Sequence, residues 1–225
     1  MGLKDADPWH SSMLLIITKA FENKEVTLIM KSKGEDNGYF RVSAYGEFLV
    51  LLQCCTDEHV LELMEQLSYA EKPSTICGHE VPGDLNMISY GMLDDFSRIS
   101  ANEDPAAQIL KIMFDVDYVD VCEANVFDVF GFLNFVKREI ERINKLFKSI
   151  KVSFSSEEIA AGVESLDFGT FGVVDWYSRR MGITNQDEVY DIGWIRIFTC
   201  MKNDNEKSEY EARLHKQYLA KAKRK

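Results

Sequence analysis

The chain has 225 residues, of which 46% are hydrophobic and 28% are charged. This length and balance are typical of a globular protein with a sizeable core, and they exclude disorder over most of the chain. The formal net charge of −11 argues against general affinity for nucleic acid, because the phosphates repel a negatively charged protein. The last ten residues depart from this trend, since they include five basic residues and no acidic one.

The cysteines and the first residues of the chain indicate an intracellular protein. The five cysteines form no CxxC pair, and most lie in apolar surroundings, which predicts reduced, buried thiols and no disulfide framework. The apolar run at residues 13–17 is too short to cross a bilayer, and no basic flank of a signal peptide precedes it. We therefore expect a soluble protein that is neither secreted nor membrane-spanning.

The first part of the chain, residues 1–83, is predicted to be a small α+β unit. Asp7 followed by Pro8 is a helix-start signal, so we predict a helix over residues 8–22. Residues 25–31 and 39–45 have the composition of two strands, and the glycine-containing loop between them predicts a β-hairpin.

A single helix is predicted next, over residues 48–67. Its apolar residues recur at helical spacing and define one face of that helix. The residues of this face are Val60, Leu61, Met64 and Leu67.

The middle part, residues 84–150, is predicted to be helical. Ser89 can cap a helix that ends near residue 99, and Asp104-Pro105 predicts a second helix start before residues 106–114. The residues from Val116 to Val121 are interpreted as a connection with a solvated acidic edge.

The strongest predicted element is a long helix over residues 126–150. Its apolar residues follow steps of three and four and form a single seam. The first half of the seam is widened by phenylalanines and is predicted to be core. The second half is narrow and flanked by charges, so we expect it to project and pair with another helix. The seam residues are Val126, Phe130, Leu133, Val136, Ile140, Ile143, Phe147 and Ile150.

The last part, residues 151–225, is predicted to be a helical subdomain with a basic tail. Residues 151–156 are the best linker candidate, and Ser155 and Glu158 can form a capping box after it. Helices are predicted over residues 157–164, 171–181, 186–201 and 205–221, with Gly182 closing the second of them. The predicted class is therefore α+β, mainly α, in three parts: 1–83, 84–150 and 151–225.

Motifs that carry catalysis or bind cofactors are missing from the sequence. Cys77 and His79 are two metal-ligand types at close spacing, but a second ligand pair is missing, so a turn is the better interpretation. The adjacent carboxylates Asp94 and Asp95 are expected to lie on the surface. We predict no catalytic residue, no cofactor and no metal, although an enzyme assembled from residues distant in sequence stays open.

The aromatic and basic residues at positions 175–180 are the most suggestive local feature. Asp175 and Arg179 can pair along a helix, and Trp, Tyr and Arg dominate binding hot spots. The alternative is that Trp176 packs in a core while the arginines are solvated, and the same alternative holds for Trp194. The predicted protein-interaction residues are Ile140, Ile143, Phe147, Trp176, Tyr177, Arg179, Arg180 and Trp194.

Two stretches of the chain resemble a known group of proteins. Val81-Pro82-Gly83 leading to Ser89-Tyr90-Gly91-Met92-Leu93 is similar to a helix start in tail-assembly and connector proteins of tailed bacteriophages. Further along the chain, six short motifs follow one another. They are Glu158-Ile159-Ala160-Ala161-Gly162, Phe168-Gly169, Val174-Asp175-Trp176, Asp187-Glu188-Val189, the stretch from Trp194 to Cys200, and Glu209-Tyr210-Glu211-Ala212-Arg213-Leu214. This order resembles the helical C-terminal region of tail-assembly proteins from phages and prophages of gut Bacteroides.

The resemblance implies a non-catalytic structural or assembly protein, such as a head-tail or tail component of the virion, found in the virion or the host cytoplasm. Its partners would be portal, ring or tail subunits, with homo-oligomers also open. The basic tail is a candidate contact for DNA or for an acidic neighbour, through Lys221, Lys223, Arg224 and Lys225. Two alternatives are a transient tail-assembly chaperone and a bacterial regulatory module that binds proteins and has no phage connection.

Overall fold

The computed structural model describes residues 24–30, 38–100, 103–150, 156–166 and 168–222. It is mainly helical, with a small two-stranded hairpin near the N-terminus, so the predicted α+β, mainly α class is confirmed. The helix predicted over residues 8–22 and residues 151–155 of the predicted linker lie outside the described residues. Among the helices that are described, none combines the length and the apolar character that crossing a membrane requires.

The described elements are numbered here in chain order. The strands are β1 Val26–Met30, β2 Gly38–Val42, β3 Thr75–Ile76 and β4 His79–Glu80. The helices are α1 Tyr45–Gln53, α2 Asp57–Ser68, α3 Tyr90–Arg98, α4 Pro105–Phe114, α5 Tyr118–Glu123, α6 Val126–Lys148, α7 Ser156–Ala160, α8 Gly169–Met181 and α9 Trp194–Ala222. Two 3₁₀ turns, Val163–Ser165 and Gln186–Val189, complete the set.

The chain divides into two compact units. The first is drawn from Met1–Gly83 and Ser100–Arg138, and the second from Asp84–Ile99 and Glu139–Lys225. The division falls inside α6, which belongs to the first unit up to Arg138 and to the second from Glu139. The organisation of the sequence into parts 1–83, 84–150 and 151–225 stays a prediction.

The first unit contains the predicted hairpin. Strands β1 and β2 pair antiparallel, with Leu28 opposite Phe40, and this confirms the β-hairpin. The side chains of Phe48 on α1 and Phe130 on α6 meet edge to face, with ring centroids 5.5 Å apart. The first half of α6 is core, as predicted; its buried apolar residues are Val126, Phe127, Val129, Phe132, Phe135 and Val136.

The single helix predicted over residues 48–67 is wrong, because two helices occupy this region. The first helix ends at Gln53, and Thr56 caps the start of the second, since its Oγ1 accepts a hydrogen bond from the His59 amide. The predicted apolar face is also displaced. Leu61 and Met64 are exposed, and the buried side chains of α2 are Leu63, Gln66 and Leu67.

The connection predicted between Val116 and Val121 is likewise wrong in part. Residues Tyr118–Glu123 form the short helix α5, which the full burial of Val121 anchors in the core of the first unit. The acidic edge is solvated as expected, since Asp115, Asp117 and Asp120 are exposed.

The second unit is built around Trp194, the first residue of α9. This side chain is almost fully buried, and its indole Nε1–H donates to the Leu85 carbonyl at 2.7 Å. The rings of Phe147 and Phe198 approach it to centroid distances of 6.1 and 6.3 Å. Other buried residues of this core are Leu85, Tyr90, Ile143, Val174, Tyr177, Val189 and Ile197.

The helices predicted over 186–201 and 205–221 differ from what is observed. Residues Gln186–Val189 form a 3₁₀ turn, after which α9 runs without interruption from Trp194 to Ala222. No glycine or proline lies between Met201 and Asn205, so the helix has no residue that would end it there.

A junction between two helix starts lies in the first unit. The Tyr45 amide donates to the Ala124 carbonyl at 2.9 Å, and the Val126 amide donates to the Ser43 carbonyl at 2.8 Å. These antiparallel hydrogen bonds hold the first residues of α1 and α6 side by side.

The second unit contains an equivalent junction. The Tyr90 amide donates to the Ile192 carbonyl at 2.8 Å, and the Trp194 amide donates to the Ile88 carbonyl at 3.4 Å. These bonds join the starts of α3 and α9 as those of the first junction join α1 and α6. Each unit therefore begins its longest helix from the same backbone arrangement.

A glycine occupies the same place in both junctions. A Cβ atom on Gly46 would lie 2.9 Å from the Cβ of Cys122, and one on Gly91 would lie 3.0 Å from the Tyr190 carbonyl oxygen. Cys122 and Tyr190 both lie two residues before the carbonyl that receives the junction's hydrogen bond. The glycine of the repeated Tyr-Gly dipeptide is thus required by close backbone approach.

Candidate protein-interaction surface

An arginine–aspartate pair connects α8 to α9. Arg180 donates from Nε to Asp204 Oδ2 at 2.9 Å and from Nη2 to Oδ1 at 3.1 Å, so the pair is bidentate. The hydrogen bonds to Asp204 raise the pKa of the Arg180 guanidinium above its usual range. Nη1 of the same guanidinium approaches the Cys200 Sγ at 3.3 Å. The pair fixes α8 against the part of α9 that precedes residue 205.

Trp176 lies beside this pair and is half-buried. The Arg180 Cζ is 6.0 Å from the centroid of the Trp176 ring, at the outer limit of a cation–π contact. On the same helix Arg179 pairs with Asp175 at 2.9 Å, which confirms the predicted pairing along α8. Trp176, Arg179, Arg180 and Asp204 are called here the Trp176–Arg180 surface.

The later part of α9, residues 205–222, is called here the exposed segment. Its residues are exposed, except that Asn205, Glu209 and Leu214 are half-buried. Tyr210, Tyr218 and Leu219 are 57%, 61% and 50% exposed, so this short stretch of helix presents three large side chains to solvent. This stretch of α9 is a helix without a packed apolar face within the described chain.

Helix α6 shows how such a stretch is covered elsewhere in the chain. Counted from the two helix starts, residues 139–148 of α6 correspond to residues 207–216 of α9. In α6 this part carries Ile143, which is fully buried, and Phe147, whose ring meets that of Phe198 edge to face at 5.4 Å. The exposed segment of α9 has no such cover among the described residues.

Polar contacts also hold this part of α6 in the second unit. Glu139 Oε2 accepts a hydrogen bond from the Leu85 amide at 3.0 Å and one from Arg142 Nη2 at 2.7 Å. Arg142 Nη2 also donates to Asn86 Oδ1 at 2.8 Å. Two of the charges that flank the second half of the seam, Glu139 and Arg142, therefore serve contacts within this chain.

The structure separates the predicted interaction residues by burial. Three are almost fully buried and line the core of the second unit: Ile143, Tyr177 and Trp194. Three are half-buried: Ile140, Phe147 and Trp176. The two arginines, Arg179 and Arg180, are exposed and lie on the Trp176–Arg180 surface. An interaction role for these residues stays a prediction.

The structure also gives the surroundings of Asp94, His79 and Cys77, which the sequence had singled out. Asp94 is buried, against the expectation of a surface carboxylate, because it accepts a hydrogen bond from Thr170 Oγ1 and pairs with Arg98, each at 2.6 Å. His79 stacks on the Phe114 ring at 5.2 Å, and the Cys77 thiol donates to the Asp120 carbonyl at 3.6 Å. Among the described residues no group of three His, Cys, Asp or Glu is placed to hold a metal ion.

The predictions for the thiols and for the basic tail have different outcomes. The prediction that the thiols are buried is wrong, because Cys54 is exposed and the other four cysteines are half-buried. All five thiols are free. Lys221 is exposed at the end of α9, whereas Lys223, Arg224 and Lys225 lie outside the described residues.

Comparison with known proteins gave no match to this chain from the protein-family models, the curated proteins or the solved structures. The resemblance to phage tail-assembly proteins therefore stays a prediction made from sequence.

Proposed function

We propose that this protein is a non-catalytic, protein-binding component, and that it binds through the exposed segment of α9. The single observation that carries the proposal is the exposure of Tyr210 and Tyr218 on a continuous helix whose first residues are anchored in a core. A helix that presents aromatic side chains to solvent is suited to docking on another protein, since Tyr combines a large contact area with a polar group.

The anchoring of α9 supports this role. Trp194 and Ile197 are buried, and the Arg180–Asp204 pair fixes the helix up to residue 204. Segments held rigidly before they bind lose less conformational entropy on association than flexible ones. The exposed segment is thus an extension of a fixed element, and the Trp176–Arg180 surface lies next to its beginning.

A truncated chain that ends at Asn205 tests the proposal. It keeps Asp204 and every buried residue of α9, so its melting temperature should stay close to that of the full chain. Both chains would serve as bait for an extract of the source cells, with captured proteins measured by quantitative mass spectrometry. We expect proteins captured by the full chain to be lost from the truncated one.

An exposed apolar residue of the first unit provides the matched control. Leu61 is 71% exposed, and Leu61→Ser removes a surface apolar group without touching α9. This variant should capture the same proteins as the unchanged chain. Capture that is equal for the full and the truncated chain would contradict a binding role for the exposed segment.

The biological setting that we propose is the assembly of a tailed bacteriophage, as a structural component of the virion. The order of motifs from Glu158 to Leu214 supports this setting. Quantitative peptide mass spectrometry on purified particles and on infected-cell lysate tests it. We expect a fixed ratio of this protein to the portal subunit in particles. Presence in lysate alone would contradict a structural role in the virion.

A further inference from the structure

We propose that the exposed segment of α9 pairs antiparallel with the same segment of a second copy of this chain. The inference rests on the protein-binding role proposed above and names its partner. It follows from the distribution of charge along residues 205–222, from the position of their aromatic residues and from the way in which α9 is anchored.

Charge changes sign along the exposed segment. Residues 205–211 contain three glutamates and one lysine, whereas residues 212–222 contain Arg213, Lys216 and Lys221 and no acidic residue. Two copies laid side by side in antiparallel orientation place the acidic part of each beside the basic part of the other. Parallel copies would instead set like charges together, which opposes association. The segment is therefore complementary to itself in one orientation only.

The needs of α9 itself do not explain this distribution. Acidic residues favour a helix start through the macrodipole, but the effect falls off within one turn, and the first turn of α9 has no acidic residue. The glutamates lie in the middle of the helix. Their pairs along the helix are long, at 3.8 Å for Lys202–Glu206, 3.9 Å for Lys207–Glu211 and 3.5 Å for Glu209–Arg213.

Exposed pairs of this length contribute little to the stability of a helix. At the basic end, Lys216 and Lys221 have no acidic partner in the part of the chain that the structure describes. The weakly paired glutamates and Lys221, which has no acidic partner among the described residues, thus leave charge that a second copy can neutralise.

The apolar residues give the pairing a contact line. Tyr210, Leu214 and Tyr218 recur every four residues and lie on one side of α9, while Trp194 lies on roughly the opposite side. The packing that anchors the helix therefore leaves this line unused. Residues 205–222 span about 27 Å, so two copies would bury less area than a standard interface of about 800 Å² per partner. A weak dimer is expected.

Sedimentation velocity on the full chain tests the pairing. The mass should rise from 25.8 kDa toward twice that value with concentration. A series from about 5 µM to about 500 µM covers the range of dissociation constants expected of a weak complex. A chain that stays monomeric throughout would overturn self-pairing. The loss of captured proteins on truncation would still test the protein-binding role separately.

Charge-reversal variants test the orientation. One variant carries Glu206→Lys, Glu209→Lys and Glu211→Lys, and the other carries Arg213→Glu, Lys216→Glu and Lys221→Glu. Each alone should remain monomeric, because both the acidic and the basic part of its segment then have a net charge of the same sign, and an equimolar mixture should dimerise. Self-association of either variant at the level of the unchanged chain would overturn the antiparallel arrangement.

Apolar variants test the contact line. Tyr210→Ser combined with Tyr218→Ser should abolish the dimer, whereas Leu219→Ser, on the opposite side of α9 and 50% exposed, should leave it intact. Circular dichroism would show that all variants keep their helix content. A dimer that survives the double Tyr variant would overturn the proposal, since it would form through another surface.

Discussion

The side-chain amide of Gln66 pairs with the backbone of Thr27 in the same way as a neighbouring strand would. Thr27 N–H donates to Gln66 Oε1 at 3.0 Å, and Gln66 Nε2 donates to the Thr27 carbonyl at 2.8 Å. Both residues are buried. Among the described residues β1 pairs with no strand other than β2, and this amide satisfies one donor and one acceptor on the other edge of β1.

Replacement of Gln66 by Leu should therefore destabilise the protein strongly. The variant leaves two buried backbone groups of Thr27 without a partner, and each costs about 1–3 kcal/mol. We expect a loss of roughly 2–6 kcal/mol in the free energy of unfolding, measured by urea titration. Gln53→Leu is the matched control, since Gln53 is exposed and its replacement should change stability by less than about 0.5 kcal/mol. Equal effects of the two substitutions would contradict this role of Gln66.

A second prediction concerns Gly131 in the middle of α6. A Cβ at this position would lie 1.9 Å from the Glu71 carbonyl oxygen, a distance that no real contact adopts. Ala is favoured over Gly in a helix by about 1 kcal/mol, but the forced backbone shift should cost more. We expect Gly131→Ala to lower the free energy of unfolding by about 2 kcal/mol or more, measured by urea titration.

Gly83→Ala serves as the control for that substitution, because a Cβ at Gly83 would meet nothing within 4 Å. Its stability should stay within about 0.5 kcal/mol of the unchanged chain. An increase in stability for Gly131→Ala would show that α6 does not pack tightly against Glu71.

A third prediction concerns the Arg180–Asp204 pair. Both side chains are partly solvated, at 32% and 42% exposure, so water and salt weaken their attraction. A double-mutant cycle with Arg180→Ala and Asp204→Ala should give a small favourable coupling energy at low salt and a smaller one at high salt. A coupling energy near zero at low salt would mean that the bidentate geometry contributes nothing to holding α8 against α9.

A fourth prediction concerns alkaline pH. Burial, with a smaller contribution from the charge of Asp94, raises the pKa of Tyr90 from 10.0 to about 12. Because the folded chain resists this ionisation, the stabilisation is complete below pH 10.0 and is lost as the pH rises toward about 12. By pH 11 the loss from Tyr90 should reach about 1.4 kcal/mol.

Urea titrations across this range would measure that loss. Tyr45 adds to it in the same direction, since burial and the hydrogen bond to Asp104 also raise its pKa. Tyr90→Phe should therefore reduce the slope of stability against pH without removing it. A slope of stability against pH that is identical with and without the Tyr90 hydroxyl would contradict the raised pKa of Tyr90.

Helix starts and ends were predictable because their chemistry is local. Ser89 Oγ accepts from the Met92 amide, and Asp104 Oδ1 accepts from the Ala106 amide, as their positions before a helical pattern indicated. Gly182 adopts the left-handed conformation that ends α8. Each of these depends on residues within a few positions of one another, so the sequence carries the whole signal.

Contacts between residues distant in sequence could not be predicted from local patterns in this way. Asp94 is buried and accepts a hydrogen bond from Thr170. Because Thr170 lies far along the chain, no local sequence pattern could predict this contact. Likewise, Gln66 lies on the buried face of α2, where its side-chain amide bonds to the backbone of Thr27, a residue distant in sequence. The junction glycines had one sequence signal, the repeated Tyr-Gly dipeptide at Tyr45 and Tyr90, which is too short to identify without the structure.

By itself, the sequence determined the mainly helical class, the hairpin and the buried first half of α6, because apolar periodicity and turn residues specify local structure directly. Only the tertiary structure decided which of the predicted interaction residues face solvent. Trp194 and Tyr177 have the composition of a binding hot spot but are buried, whereas Tyr210 and Tyr218 lie outside any core. The physical reason is that an apolar side chain has the same chemistry in a core and at an interface, and only its neighbours in space distinguish the two.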